Sequence, residues 1–189
     1  MISIGIIPAR GGSKSIPLKN IKLFNGKPLI EYTIESALKS GVLDKIVVST
    51  DHDDIAKVCT KYTDIDVIFR PKKLSTDEAL TESALLYVCD ELEKRENFIP
   101  DIVLTLEPTS PMRTPQTIIK SIDILKKQNF DSVIGVVESL SVYGKIVNGY
   151  YEHLFPNQAR RRQDREPLYK ECSTIYATTL QTLRLKNSV

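Results

Sequence analysis

The chain has 189 residues, of which 41% are hydrophobic and 26% charged, enough for one domain with a full apolar core rather than two. A formal net charge of +2 excludes bulk electrostatic attraction to nucleic acid or an anionic membrane, so any basic chemistry must come from local clusters. No stretch approaches the ~20 apolar residues of a membrane span, so a membrane partner is not expected.

The N-terminal run Met1 to Ile7 lacks the basic flank of a secretory signal, and its apolar stretch is too short for one. Residues 2–8 form a compact Ile-rich run that Pro8 ends, and Arg10-Gly11-Gly12-Ser13-Lys14 follows. This pattern predicts a buried strand entering a glycine loop. Leu29, Ile30, Ile34, Ala37 and Leu38 recur at helical spacing, with Pro28 suited to the first turn and Gly41 to the stop. A second strand is expected over 45–50, a short helix over 53–62 and a third strand over 66–69. A longer helix is expected over 81–95, with Leu85, Val88, Cys89 and Leu92 on one face. A fourth strand over 101–106 is broken by Pro108-Thr109-Ser110-Pro111, then come a helix over 115–127 and a fifth strand over 132–137.

Alternation of this kind predicts a three-layer, Rossmann-like α/β domain with a mainly parallel sheet. Ligands in such sheets sit at the carboxyl ends of strands, which directs attention to the loops after the first, third and fourth strands. After residue 137 the rhythm changes. Residues 138–168 contain Tyr143, Tyr150, Tyr151, Phe155 and Arg160-Arg161-Arg162-Gln163-Asp164, and read as an inserted arm with a hairpin. Residues 174–177 are expected to return as a strand and 179–185 to form a closing helix, all within a single domain spanning 1–189. Cys59, Cys89 and Cys172 match no disulfide or zinc spacing, which makes a reducing, cytoplasmic setting the expectation.

The glycine loop carries the sharpest chemistry. Adjacent glycines let backbone amides converge on an anion, and Arg10, Lys14 and Lys19 supply positive charge for phosphates. The run is neither GxxxxGK[ST] nor GxGxxG. The segment Ile7 to Ile21 resembles the signature of the CMP-sialic acid synthetases (acylneuraminate cytidylyltransferases), roughly ARGGSKxIPxKNI. Val48 to Ala56 is similar to their VSTDxxxIA, Arg70 to Asp77 to RPxxLxxD, and Leu106 to Arg113 to LQPTSPLR. Arg161-Arg162-Gln163-Asp164 is similar to RRQD and Tyr169 to Tyr176 to YxxNGAIY, so the resemblance covers essentially the whole chain.

The resemblance implies a nucleotidyltransferase fold with a dimerisation arm. It also implies a reaction in which the anomeric hydroxyl of an acidic nonulosonic sugar (sialic, legionaminic or pseudaminic type) attacks CTP. Such a reaction releases pyrophosphate, with Mg²⁺ as cofactor, and serves cell-surface polysaccharide synthesis. The implied CTP-binding residues are Ala9, Arg10, Gly11, Gly12, Ser13, Lys14, Lys19, Asn20 and Arg70. Glu107, Pro108, Thr109 and Ser110 would border the sugar, and Arg161, Arg162 and Gln163 would reach its carboxylate from the partner of a homodimer. Arg10, Lys19 and Arg161 are the implied catalytic residues, and the metal ligands stay unknown.

Two departures stand out. Glu107 replaces the family's Gln, which leaves altered substrate choice, metal ligation or a structural acceptor role open. The late acidic DIDxxxD motif of the family has no counterpart after Tyr176, and Cys172-Ser173-Thr174 stands where the family has Asn-Gly-Ala. A CTP-binding remnant or regulatory domain with impaired catalysis is therefore the alternative expectation.

Overall fold

The computed structural model describes residues 1–13, 16–128 and 130–186. Strand β1 (Ser3–Pro8) leads through a 3₁₀ turn (Lys19–Ile21) into a small hairpin, β2 (Leu23–Phe24) with β3 (Lys27–Pro28), and then helix α1 (Leu29–Ser40). Next come β4 (Lys45–Thr50), α2 (Asp53–Cys59), β5 (Asp66–Phe69), α3 (Thr81–Glu96), β6 (Ile102–Thr105) and α4 (Pro115–Gln128). The chain continues through β7 (Ser132–Ser139), β8 (Gly144–Val147), β9 (Tyr150–His153), β10 (Leu168–Thr179) and α5 (Leu180–Lys186).

One sheet of six strands runs in the order β5-β4-β1-β6-β10-β7. Strand β1 pairs in parallel with β4 and β6, β4 pairs in parallel with β5, and β10 runs antiparallel to β6. Because side chains alternate across a strand, each strand feeds two cores. Ile7, Val48, Leu104 and Ala177 join the face covered by α1, α2 and α4. Ile4, Ile6, Val47 and Val103 face the opposite core, with Leu85, Val88 and Leu92 of α3 and Leu183 of α5. Burying each such Ile or Leu contributes on the order of 2 kcal/mol, which is why the central strand carries no charged residue. The architecture is thus the expected three-layer α/β fold.

Some local outcomes meet the sequence expectation, as at Gly41, and others differ from it. Pro28 ends β3 and precedes the first turn of α1, while Gly41 closes that helix at φ 63°, a left-handed conformation that favours glycine. The β2–β3 hairpin turns on Asn25-Gly26, both at positive φ, and is too short to show strand periodicity. Helix α2 stops at Cys59, and Tyr62 leaves the helix to donate its hydroxyl hydrogen to Glu31 Oε2 at 3.2 Å. Strand β10 runs for 12 residues, much longer than the four expected, because the residues before Thr174 are largely exposed and give no apolar signal.

The chain divides into two compact units, Met1–Ile134 with Ser173–Val189, and Gly135–Cys172. The smaller unit holds the β8–β9 hairpin, which turns on Asn148-Gly149. Its loops are drawn together by Arg165, which donates to the carbonyl of Leu140 at 2.8 Å, to that of Ala159 at 2.8 Å, and to that of Arg160. Ile146, Tyr150, Tyr151, Leu154 and Phe155 are exposed on this unit.

Cys59 and Cys89 are fully enclosed, and burial pushes their thiols up to about 11 and about 12 respectively. Both are expected to resist iodoacetamide in the folded protein at pH 8 and to react on unfolding, because the thiolate is the reactive species. Mass spectrometry of native and urea-treated samples checks this, and rapid native alkylation of either would contradict the burial.

Candidate functional site

A cavity of about 450 Å³ opens at the carboxyl ends of β1, β5 and β6, lined by Pro8, Arg10, Ser13, Lys19, Asn20, Arg70, Glu107 and Thr109 among others. Its far wall is the Leu74–Thr81 segment and the first turn of α3. The lining is mostly polar, as a phosphate-bearing ligand requires.

The loop after β1 is fixed at three successive residues. Ala9 N donates to Ser49 O at 2.9 Å, Gly11 N donates to Asp51 Oδ1 at 2.9 Å, and buried Asn20 donates its amide to Arg10 O at 3.0 Å. Asn20 therefore holds the loop in shape with its amide nitrogen. Gly11 is required by a close approach: a Cβ there would lie 2.6 Å from His52 Cδ2 and 2.9 Å from His52 Cβ. His52 cannot easily retreat, because its Nδ1 caps α2 by accepting from Asp54 N at 3.2 Å. Leu18 adopts a left-handed conformation at φ 49°, ψ 37°, which costs a non-glycine residue about 1 kcal/mol. That conformation precedes the 3₁₀ turn that carries Lys19 and Asn20 to the cavity wall.

Arg10 spans the mouth. Its Nη1 donates to Thr76 O at 2.7 Å and its Nη2 meets Asp77 Oδ1 at 2.8 Å. The same residues also border a neighbouring depression with Gly12, so the Arg10 bridge separates two openings. Arg70 is buried, with Nε donating to Ser75 Oγ at 2.9 Å. Burial lowers its proton affinity, Asp51 raises it, Arg10 lowers it and Glu107 raises it.

Glu107 lies two residues beyond β6, the fourth parallel strand in chain order. Burial raises its carboxyl pKa, opposed in decreasing order by the charges of Arg113, Lys19 and Arg70. Arg113 is 4% exposed and its proton affinity is pushed down to about 10, chiefly by burial, so it is still a cation at neutral pH. It donates to Glu107 O at 2.8 Å, to Thr33 Oγ1 at 3.1 Å and to Thr174 O, while Ser36 Oγ donates to Arg113 O at 2.9 Å. The loop after β6, helix α1 and strand β10 are thereby joined at one guanidinium.

Of the residues expected from sequence, Arg10, Ser13, Lys19, Asn20, Arg70, Glu107 and Thr109 come together at this cavity. Ala9, Gly11, Pro108 and Ser110 shape the surrounding loops, and Ser110 Oγ donates to Ser173 O at 2.9 Å. Lys14 lies outside the described residues. Arg161, Arg162 and Gln163 belong to the smaller unit, where Arg161 Nε pairs with Asp164 Oδ2 at 2.8 Å. Asp51, Asp77 and Arg113 were not singled out as site residues by sequence reasoning. All three sat inside recognised segments, but nothing in a sequence shows which acid meets which cation.

Among the described residues, no group of three or more His, Cys, Asp or Glu is arranged to hold a metal ion. Asp77 is engaged by Arg10, and Glu107 sits in a field of cations. The described side chains do not form a metal cage for Mg²⁺. What they provide is a cationic, partly desolvated cleft with the chemistry to neutralise a polyphosphate.

An incoming polyphosphate must compete with Asp77 for Arg10. Asp77→Asn is expected to tighten binding of inorganic tripolyphosphate by roughly two- to fivefold at low salt, the scale of a partly exposed ion pair. Titration calorimetry checks it. Weaker binding in the variant would mean that Asp77 orients Arg10 rather than competing with the anion.

The sequence model of one protein family, described as Cytidylyltransferase, matches residues 4–186. The N-acylneuraminate cytidylyltransferase of Streptococcus agalactiae serotype V is 32% identical over 189 residues, covering 96% of this chain and 44% of that protein. The pseudaminic acid cytidylyltransferase of Campylobacter jejuni is 46% identical over 112 residues, covering 59% of this chain and 48% of that protein. The chain thus spans about half the length of these relatives. Among solved structures, a CMP:2-keto-3-deoxy-manno-octonic acid synthetase complexed with CTP superposes with a TM-score of 0.75 at 20% identity, covering 99% of this chain and 78% of that one. At that identity the likeness speaks to fold alone.

Proposed function

The chain belongs to the cytidylyltransferase family, and from that premise we propose that it transfers CMP from CTP to the anomeric hydroxyl of an acidic nonulosonic sugar. The hydroxyl oxygen attacks the α-phosphorus, the bond from that phosphorus to the bridging oxygen breaks, and pyrophosphate leaves as the hydroxyl proton is lost. The observation that carries this reading is the convergence of Arg10, Lys19 and Arg70 on one cavity beside Ser13 and Asn20. Arg10 and Lys19 neutralise the triphosphate and the departing pyrophosphate, and the loop around Gly11 to Ser13 supplies amides. Such a transfer rests on positioning and charge neutralisation rather than on a covalent intermediate.

Glu107, Pro108, Thr109 and Ser110 border the sugar in this proposal. Arg161, Arg162 and Gln163 reach the sugar carboxylate from the partner in a homodimer, because arginine forks match carboxylates bidentately. The exposed Ile146, Tyr150 and Tyr151 of the smaller unit are the proposed contact between copies. The proposed setting is the cytoplasm, where the three free cysteines persist as thiols. No described helix is long and apolar enough to cross a membrane.

The test is pyrophosphate release from CTP and each of sialic, legionaminic and pseudaminic acid with Mg²⁺ present. Release with at least one sugar, and none with ATP, GTP or UTP, is the expected result. Failure with every acidic sugar would remove the assignment. A second reading, CTP binding without turnover, draws support from the missing carboxylate cluster among the described residues. It is distinguished by calorimetric CTP binding in a protein that releases no pyrophosphate.

A further inference from the structure

The two glycines of the loop after β1 sit in different surroundings. A Cβ at Gly12 would meet nothing within 4 Å, whereas a Cβ at Gly11 would meet three carbons of His52, at 2.6, 2.9 and 2.9 Å. The backbone at Gly11 therefore rests on the His52 side chain, with Cδ2 of the imidazole nearest to it. The ring is itself held. His52 N donates to Thr50 Oγ1 at 3.2 Å, its Nδ1 accepts from Asp54 N at 3.2 Å, and its carbonyl accepts from Ala56 N at 3.2 Å. Capping of α2 alone does not account for a histidine here, because Asn, Asp, Ser and Thr are the strong N-caps. His52 is not among the residues that line either opening, so it acts on a ligand only through Gly11.

We propose that His52 is a positioning residue for the nucleotide: its ring is the platform that sets the height of Gly11, and through it the placement of Arg10 and of the Gly11 to Ser13 amides against the phosphates. The inference rests on the reading of the cavity as a CTP site. Hydrogen bonds at Ala9 N, Gly11 N and Arg10 O limit how far the loop can lift from the strand ends. They do not stop it from settling toward α2. Contact with the imidazole does, because repulsion rises steeply once atoms come closer than van der Waals distance.

A loop restrained from both directions is organised before the ligand arrives, so the ligand does not have to order it. The effect belongs to the phosphate end of the nucleotide and does not depend on the base or on the sugar. Two substitutions separate the platform from the cap. His52→Asn keeps a strong acceptor at the N-cap and removes the ring, while His52→Phe keeps a flat ring and removes the acceptor.

The experiment measures, on the full chain, the Kd of CTP and of inorganic tripolyphosphate by calorimetry, together with the Tm of each variant. In His52→Asn both Kd values are expected to rise roughly five- to tenfold, the loss of about one aligned hydrogen bond to a phosphate, with Tm equal to or above that of the wild type. In His52→Phe, Tm is expected to fall while both Kd values stay within about twofold of wild type, since the platform remains. A merely structural role would make affinity follow Tm, with His52→Phe the weaker binder, and that order overturns the inference. A loss confined to CTP, with tripolyphosphate bound as in the wild type, overturns it as well. If His52→Phe does not fold, His52→Asn decides alone: a CTP Kd equal to that of the wild type overturns the inference and leaves the CTP site standing. Absence of CTP binding in the wild type overturns both.

Discussion

Lys19→Ala is expected to weaken CTP binding by roughly 10- to 100-fold, the loss that follows from removing one charge-assisted hydrogen bond to a phosphate, about 1.5–3 kcal/mol. Lys19 is carried by a short 3₁₀ turn whose entry residue, Leu18, is held in a left-handed conformation, so its ammonium is directed at the cavity rather than left on a flexible loop. Arg10→Ala is expected to lose less, because the guanidinium is already shared with Asp77 and Thr76 O in the unliganded protein. The order of the two effects is as informative as their size. Calorimetric titration with CTP at low and moderate salt checks both, and each variant should also flatten the salt dependence, since one fewer phosphate contact is made. A Kd changed less than threefold in Lys19→Ala would remove Lys19 from the nucleotide site.

Gly11→Val is expected to abolish measurable CTP binding while leaving the three-layer core folded. Even a single Cβ meets His52 Cδ2 at 2.6 Å and Cβ at 2.9 Å, and valine adds two more carbons. The loop must move, and with it goes the bond from Gly11 N to Asp51 Oδ1 that holds the backbone beside Arg10. Overpacking of this kind costs about 1–3 kcal/mol, less than a domain of this size can tolerate, so the damage is local. The check is a double-mutant cycle with His52→Gly. His52→Gly alone loses the side-chain cap of α2, roughly a few tenths of a kcal/mol in stability. In combination with Gly11→Ala it is expected to recover CTP binding that Gly11→Ala alone loses. If Gly11→Val binds CTP as the wild type does, the loop does not depend on this packing.

Much of the architecture was readable before any coordinates. Continuous apolar runs and period-3.6 patterns placed the central strands and the long helices, because in a three-layer fold each helix buries one stripe and each central strand is buried on both faces. The hairpin at Leu23 to Pro28 escaped notice because two-residue strands have no period to detect. The length of β10 escaped for a related reason: Tyr169 and the residues before Thr174 are largely exposed, so no apolar alternation marks them as sheet.

At the cavity, residue types were legible and partnerships were not. The run Arg10 to Lys14 is legible as a candidate anion loop because its glycines and cations are adjacent in sequence. Asp51, Asp77 and Arg113 act across 40, 67 and 61 residues on Gly11, Arg10 and Thr174 respectively. Separations of that size are closed only when the sheet assembles, by the parallel strands for Asp51 and Asp77 and by antiparallel β10 for Arg113. Glu107 shows the limit most sharply. Its identity was plain as a departure from a familiar segment, yet its meaning depended on the buried guanidinium behind it.

The residue order alone was enough to specify a three-layer α/β fold with a glycine loop flanked by cations, because periodicity and short-range motifs are properties of neighbours along the backbone. Only the tertiary structure decided that Arg10 bridges to Asp77, that His52 demands glycine at position 11, and that Arg113 stands behind Glu107. Those are contacts between distant segments, and they exist only once burial of the sheet has forced the loops into one place.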